Sequence, residues 1–312
     1  MLAAPAVVAQ PPTQPPRIGF LSPAPFPGER DALILRRLTE LGWVEGRTVT
    51  IERRSAENRN ERLPRLAEEL ARQKVNLIVA FTTPAVDAAR KATRSIPIVM
   101  APAGDALGSG FVKSLARPEG NVTGVTFTHE TVGAKRLELL RDVLPRLKRV
   151  AVLAAQEMRI LHEPMWKAAD AAAPSINLAA QLFEVRDTAE IESAFSAMAR
   201  DGMDAVVVLP GEIFASERER IARLAVAHRL VSICDRAEYV QAGCLMSYGA
   251  DLGGLLDRAA THVDRILRGA KPGDLPVEQP TRFELTINRR TARDLGLTIP
   301  QSVVLRADRM VE

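Results

Sequence analysis

The sequence predicts an α/β fold with two doubly wound lobes, and three observations support that prediction. Short apolar runs typical of buried strands alternate with amphipathic helical segments along most of the chain. The alternation forms two consecutive series of similar length, separated by a break at residues 118–124 (PEGNVTG). The 312 residues also exceed what one hydrophobic core usually holds. Two lobes, each with a parallel sheet covered by helices, account for all three observations.

The first series begins with a strand at residues 17–21, followed by a Pro-rich turn that cannot be helical. Helices are predicted next from apolar periodicity, and strands from short apolar or alternating runs. In order, the series continues with a helix at 29–41, a strand at 48–54, a helix at 61–73, a strand at 75–81, a helix at 85–92, a strand at 96–100 and a short helix at 110–115.

The second series follows the break with the same alternation, and the chain then changes character. Its predicted helices lie at 133–144, 165–173, 188–200 and 216–227, and its strands at 149–153, 178–184, 205–209 and 230–233. A strand at 243–248, a long helix at 251–268, an extended segment at 276–287, a short helix at 288–295 and a last strand at 303–305 complete the chain. Such a tail suggests that the chain passes between the lobes again. Crossovers near 121–126, 247–249 and 281–284 would form a three-stranded hinge.

Residues 75–105 are the most informative stretch, because they place polar turns at the carboxyl ends of two buried strands. Ligands bind at that edge in open α/β sheets. Thr82 and Thr83 come directly before Pro84, which suits the first turn of a helix. The free N–H groups of that helix start would suit an anion such as a carboxylate. The same residues equally suit a plain helix cap.

Composition excludes several classes of protein. The formal net charge is only +4, and the basic residues form no block interleaved with aromatics, so nucleic-acid binding is unsupported. Cys234 and Cys244 lack the spacing of a zinc site and are either a disulfide or two small buried hydrophobes. Residues 1–10 (MLAAPAVVAQ), followed by a Pro-rich tether, resemble the end of a secretory signal peptide without its basic region. A disordered tail is the alternative.

Catalytic motifs are missing from the sequence. The four histidines have no metal-ligand spacing and suit structural or surface positions. Neither a nucleophile elbow nor a phosphate-binding P-loop is present. Residues 104–110 (GDALGSG) are glycine-rich but lack the spacing of a dinucleotide site, and no two carboxylates stand at a defined spacing. This pattern favours a binding protein over an enzyme, with no metal and no cofactor.

Several motifs, in this order and spacing, closely resemble ABC-transporter substrate-binding proteins of the tryptophan-binding-protein-like group. The matching segments are ELGWVEGRTVTIERRSAE (40–57), RLPRLAEEL (62–70), TPAVDAARKAT with IPIV (83–99), SLARPEGNVTGVT (114–126), KRLELLRDVLP (135–145), GCLMSYGAD (243–251), LPVEQPTRFELTIN (275–288) and LGLTIPQSVVLRADRMVE (295–312). The chain departs from the family at Gly104-Asp105-Ala106, where Gly-Asp-Pro is frequent, and at Gly243-Cys244, where Gly-Gly is common.

The resemblance implies the type I periplasmic binding protein fold, with two Rossmann-like lobes that close over a small molecule. The expected lobes are 17–122 with 247–281, and 123–246 with 282–312, after a leader at 1–16. It implies a periplasmic monomer that works with the membrane permease of an ABC importer and captures an amino acid, aromatic or not, or an aromatic acid. The alternatives are a nucleotide-sugar enzyme with two Rossmann-like lobes and the sensor core of a transcription regulator.

The ends of the strands are expected to provide the ligand site. The candidate residues are Ser22, Pro23, Thr82, Thr83, Ala103 and Asp105 from the first series, and Thr126, Gln156, Pro210, Asp235 and Tyr248 from the second. Thr82 and Thr83 would hold a carboxylate, Asp235 or Asp105 would pair with an ammonium group, and Phe26, Phe81 and Tyr248 would form apolar walls. For each of them, turn or cap chemistry without ligand contact is the alternative.

Overall fold

A computed structural model of the chain describes residues 15–127 and 130–312. The expected signal-peptide remnant at 1–10 lies outside the described residues. Contacts between Cα atoms divide the chain into two compact units. Among the described residues, the first contains those up to Pro102 together with Phe111–Gly124 and Leu256–Val277, and the second contains those of Ala103–Gly110, Val125–Leu255 and Glu278–Glu312.

The first sheet has five strands in the order β2-β1-β3-β4-β5, and β1 lies parallel to both β2 and β3. Its first four strands alternate with helices, as the sequence predicts. The elements are β1 (Arg17–Ser22), α1 (Glu29–Glu40), β2 (Thr50–Ser55), α2 (Leu63–Arg72), β3 (Leu77–Ala80), α3 (Thr83–Ala92), β4 (Ile98–Ala103) and β5 (Val122–Thr126).

The second sheet has seven strands in the order β12-β11-β10-β9-β8-β6-β7. Only the pairing of β10 with β11 is antiparallel among the described strand pairs. The elements of this part are α4 (Glu130–Val143), β6 (Arg149–Ala155), α5 (Arg159–Ala172), β7 (Ala179–Val185), α6 (Ile191–Arg200), β8 (Ala205–Val208), α7 (Glu212–Ser216), α8 (Arg218–Ala227), β9 (Val231–Cys234), α9 (Ala237–Gln241), β10 (Met246–Ala250), α10 (Leu252–Leu267), β11 (Phe283–Asn288), α11 (Arg289–Asp294), α12 (Gln301–Val304) and β12 (Arg309–Val311).

Both faces of the second sheet are buried, which explains its continuous apolar strands. Along β6, Val150 and Val152 pack into one hydrophobic cluster, whereas Ala151 and Leu153 pack into another on the opposite face. A strand covered by helices on both faces cannot alternate between apolar and polar residues. The predicted α/β architecture with two mainly parallel sheets is therefore confirmed.

Two local predictions are wrong. Residues 110–115 form bends instead of a helix. The expected strand at 303–305 overlaps helix α12, which begins after Pro300 in extended conformation, and the last strand is β12. The apolar run VVL suited a strand, but Val303 is fully buried as part of a helix.

The division of the chain also differs from the expected lobes. Residues 247–255 and 278–281, expected in the first lobe, lie in the second unit. The reason is that β10 pairs with both β9 and β11 and so becomes an interior strand of the second sheet. The chain passes between the units at 124/125, 255/256 and 277/278, and it makes a short excursion at 103–110.

Within the described part of the chain, every helix is too short or too polar to cross a membrane.

Candidate functional site

The carboxyl edge of the first sheet brings Ser22 and Thr82 to neighbouring positions. Leu21 of β1 lies opposite Ala80 of β3, and the Phe81 N–H donates to the Leu21 carbonyl oxygen at 2.9 Å. The residues that follow the two strands therefore emerge side by side, as expected for parallel neighbours. Ser22 and Thr83 are buried, and Thr82 is partly exposed.

Thr82 has an unusual backbone and an unused hydroxyl. Its φ of 77° lies in the left-handed region, which is a strained conformation for a β-branched residue. Its buried Oγ1 atom has no hydrogen-bond partner, and it does not cap α3. Thr82 occupies the N-cap position, but its hydroxyl does not serve as the plain helix cap that was the alternative to a ligand contact. A strained residue with an orphan hydroxyl at the start of a helix offers a hydrogen-bond donor to an anion.

Ser22 and Pro23 stabilise the turn after β1. The Ser22 hydroxyl accepts from the Ala24 N–H at 3.1 Å, and the Pro23 carbonyl accepts from the Asn58 N–H at 2.8 Å. The turn is therefore held by its own hydrogen bonds and by the segment after β2.

Phe81 and Phe26 form part of an aromatic cluster with Phe20. Their ring centroids lie 5.4 to 6.3 Å apart. Phe81 is buried within this cluster, whereas Phe26 is partly exposed. Of Phe26 and Phe81, two of the three expected apolar walls, Phe26 is the one with an exposed surface.

In the second unit, Thr126 holds the turn that follows Ala103. Its hydroxyl donates to the Gly104 carbonyl at 3.1 Å and accepts from the Ala106 N–H at 3.0 Å. Asp105 is exposed and accepts from the Leu107 N–H at 3.1 Å, and the Ala103 carbonyl accepts from the Phe127 N–H at 2.8 Å. The glycine-rich stretch 104–110 thus forms a self-bonded turn that leads into bends, without the helix start that a phosphate-binding loop requires.

Asp235 stands at the carboxyl end of β9 with one carboxylate oxygen unused. Its Oδ1 is buried and has no hydrogen-bond partner, and its Oδ2 lies 3.7 Å from Arg236 Nε. The backbone of β10 approaches this residue so closely that a Cβ atom on Gly249 would collide with the Asp235 carbonyl oxygen. A buried carboxylate oxygen without a donor is costly and suits a cationic ligand group.

Arg136 of α4 supplies a buried cation in the same region. It is only 2% exposed, and its Nε donates to the Tyr248 carbonyl oxygen at 2.9 Å. Burial lowers the pKa of Arg136, while the nearby Asp235 carboxylate acts in the opposite direction. The Tyr248 ring stacks on Phe283 with centroids 5.8 Å apart and planes 19° apart. Opposite charges and an aromatic face therefore occur together at the end of β9 and β10.

Gln156 and Pro210 lie in the turns after β6 and β8. Gln156 is exposed, and the Pro210 carbonyl oxygen lies 2.7 Å from His162 Nε2. The N–H of Ala155, which precedes Gln156, donates to Nδ1 of the same histidine at 3.0 Å. His162 thus joins the two turns.

Arg136 and Phe283 are not among the predicted site residues, and His162 was expected only in a structural or surface position. Arg136 and His162 lie within helices, where polar residues usually face solvent. The position of Arg136 does mark it as buried, because it stands four residues from both Val132 and Leu140, and all three lie on the buried face of the helix. A charge on the apolar face of a helix is a marker of a buried polar site.

Cys234 and Cys244 are free thiols buried in one hydrophobic cluster. Cys234 lies opposite Ser247 in the register of β9 and β10. Burial raises the pKa of Cys234 well above its usual value. The pair therefore behaves as two small buried hydrophobes.

Comparison with known proteins supplies the family. The family model described as ABC transporter substrate binding protein matches residues 31–311. The tyrosine-binding protein of Clostridioides difficile (strain R20291) is 26% identical over 270 residues, which cover 84% of this chain and 75% of that protein.

Two solved structures are similar over almost their whole length. One is the ABC domain from Streptococcus pneumonia in complex with L-Trp, at 26% identity and a TM-score of 0.86, covering 96% of this chain and 100% of that one. The other is a conserved domain protein from Vibrio cholerae, at 25% identity and a TM-score of 0.88, covering 95% and 100%. The chain has the type I periplasmic binding protein fold and belongs to the ABC transporter substrate-binding protein family.

Proposed function

We propose that this protein captures a small carboxylate-bearing molecule, an amino acid or an aromatic acid, for the permease of an ABC importer. The ligand would be held by the turns at the strand ends of both lobes and enclosed by hinge closure. The protein would act as a monomer, without catalysis, cofactor or nucleic acid. Family membership supports the transport role.

The observation that carries the carboxylate is the orphan hydroxyl of Thr82. The Thr82 Oγ1 atom is buried without a partner at the edge of a parallel sheet where ligands bind, which supports a hydrogen bond to a ligand carboxylate. The start of α3, directly after Thr82, adds the positive end of the helix dipole. A carboxylate satisfies both features.

An amino group on the ligand would be received by Asp235. Its Oδ1 is buried and unpartnered, whereas Asp105 is exposed and already bonded to its own turn. The names of the relatives support an amino acid, since one is described as tyrosine-binding and another was solved with L-Trp. The stacked rings of Tyr248 and Phe283 would provide an apolar surface for the rest of the ligand.

We further propose that the protein is exported and works in the periplasm. Substrate-binding proteins of ABC importers act outside the cytoplasm, and residues 1–10 have the apolar, Ala-rich character of the end of a signal peptide.

Thr82→Val tests the carboxylate anchor, because it removes the hydroxyl and retains the β-branched shape. We expect amino-acid affinity to fall at least about tenfold, or about 1.4 kcal/mol, in isothermal titration calorimetry. Thr39→Val is the matched control, since the Thr39 hydroxyl donates to Leu35 on the exposed surface of α1. Equal affinities for the Thr82 variant and the control would contradict the role of Thr82.

A further inference from the structure

We propose that neutral His162 is a positioning residue that ties the two turns carrying Gln156 and Pro210 together, so that protonation of His162 weakens ligand binding. The ligand part of this inference rests on the proposed function, because the turns affect affinity only if they belong to the ligand site. His162 itself is not proposed to contact the ligand.

The two hydrogen bonds fix the tautomer of His162. The Ala155 N–H can only donate, so Nδ1, 3.0 Å away, must be the bare acceptor nitrogen. The Pro210 carbonyl can only accept, so Nε2, 2.7 Å away, must carry the proton. The neutral imidazole satisfies both partners. An imidazolium would place a second N–H against the Ala155 N–H and break that bond.

His162 extends the link between β6 and β8 beyond their backbone pairing. The paired register of the two strands ends at Leu153 and Val208, and one more bond joins the Leu209 N–H to the Leu153 carbonyl at 3.1 Å. Beyond this bond, the imidazole ring joins the two strands, because it bonds both the Ala155 N–H and the Pro210 carbonyl oxygen. The ring therefore replaces a rung of the sheet at the point where the two turns begin.

The surroundings of His162 hold the ring in place. The residue is only 3% exposed, and its ring stacks on Phe214 with planes 10° apart and centroids 6.4 Å apart. The Phe214 N–H donates to the Gly211 carbonyl at 3.2 Å, which joins the stacking partner to the turn after Pro210. Burial and stacking therefore hold the ring against the turn that follows Pro210.

Burial and the neighbouring groups have opposite effects on the pKa of His162. Burial lowers the pKa of His162, and this effect exceeds the opposite effects of its backbone bonds, Asp235 and Glu184. A cavity of about 280 Å³ beside the ring is lined by further charged groups. The charged residues that line this cavity are Arg159, Glu163 and Lys167 on the helix of His162 and Glu184 on β7. Asp235, after β9, also acts on the pKa of His162.

The sign of the pH effect follows from the lowered pKa. The unfolded chain binds a proton to this histidine at about pH 6.5, whereas the folded protein resists it until a lower pH. The contribution of His162 to stability is therefore complete above about pH 6.5 and is lost as the pH falls towards the folded pKa. The bond to Ala155 is lost when the folded form itself is protonated.

The test measures L-tryptophan affinity by calorimetry from about pH 8 to about pH 5. We expect the wild-type affinity to fall about tenfold across this range. His162→Gln retains an acceptor and a donor but does not titrate, so it should bind at pH 8 and show a flatter pH profile. His162→Phe should bind weakly at every pH. His228→Gln, at the end of α8, is the control and should follow the wild type.

The same pH profile for the wild type and His162→Gln would overturn the inference, as would wild-type affinity of His162→Phe at pH 8.

A measurement without ligand separates this inference from the proposed function. The Ala155 amide signal in NMR should shift as His162 titrates. Absence of that shift would overturn the positioning role. If the Ala155 signal shifts but the protein binds no amino acid at any pH, the link between the turns is supported and the proposed ligand is rejected.

Discussion

At the scale of single residues, the important feature is a pair of buried polar atoms without partners. Thr82 Oγ1 follows a strand of the first sheet, and Asp235 Oδ1 follows a strand of the second. Leaving such atoms unpaired costs about 1–3 kcal/mol each. An acceptor group on a ligand would recover that cost at Thr82, and a cationic group would recover it at Asp235.

Asp235→Asn should weaken the binding of an amino acid at least about tenfold, because an amide attracts an ammonium group less strongly than a carboxylate does. The same variant should also lower the unfolding temperature, since buried Arg136 would lose its counter-charge. Asp170→Asn, on the exposed surface of α5, is the matched control. Calorimetry and thermal unfolding check both effects. Unchanged affinity in the Asp235 variant would contradict an ammonium contact at this residue.

Part of the site could be predicted from sequence. Thr82 and Asp235 follow apolar runs that read clearly as strands, and parallel topology places such residues at the ligand edge. The Thr126 hydroxyl holds the distant turn at Gly104 and Ala106, which the sequence did not predict, and its ligand contact stays a prediction. Arg136 and His162 could not be assigned, because their partners are backbone groups distant in the chain, and only the fold brings these groups together.

At the scale of elements, the contact between β10 and the turn after β9 determines the geometry of the site. Gly249 allows the backbone of β10 to lie against the Asp235 carbonyl, and the neighbouring Tyr248 carbonyl receives Arg136. The sequence predicted a strand near this position but not its pairing. The antiparallel partner β11 comes more than 30 residues later, which local patterns cannot reveal.

Gly249→Ala should destabilise the protein by about 1–3 kcal/mol, because the added methyl group would collide with the Asp235 backbone. It should also weaken ligand binding by displacing Asp235. Gly133→Ala in α4 is the opposite case, since nothing lies within 4 Å of the added atom, and it should stabilise the helix by about 0.5–1 kcal/mol. Urea unfolding of the two variants measures both changes. A Gly249 variant as stable as the wild type would show that the close approach is not required.

At the scale of the whole molecule, alternation of strands and helices was enough to predict two sheets and their class. The sequence could not define where the chain passes from one unit to the other. That boundary depends on which sheet receives β10, and this is decided by pairing with β9 and β11. Family membership supports a molecule that binds a solute and hands it to a transporter.

The central claim, that the protein binds an amino acid through its carboxylate, is tested most directly by calorimetry with matched ligands. A panel of L-amino acids, including tyrosine and tryptophan, would be titrated first, followed by the decarboxylated amine of each one that binds and by a nucleotide-sugar. We expect saturable binding of at least one amino acid, at least about tenfold weaker binding of its amine, and no binding of the nucleotide-sugar. Equal affinity for the acid and its amine, or binding of the nucleotide-sugar alone, would contradict the claim.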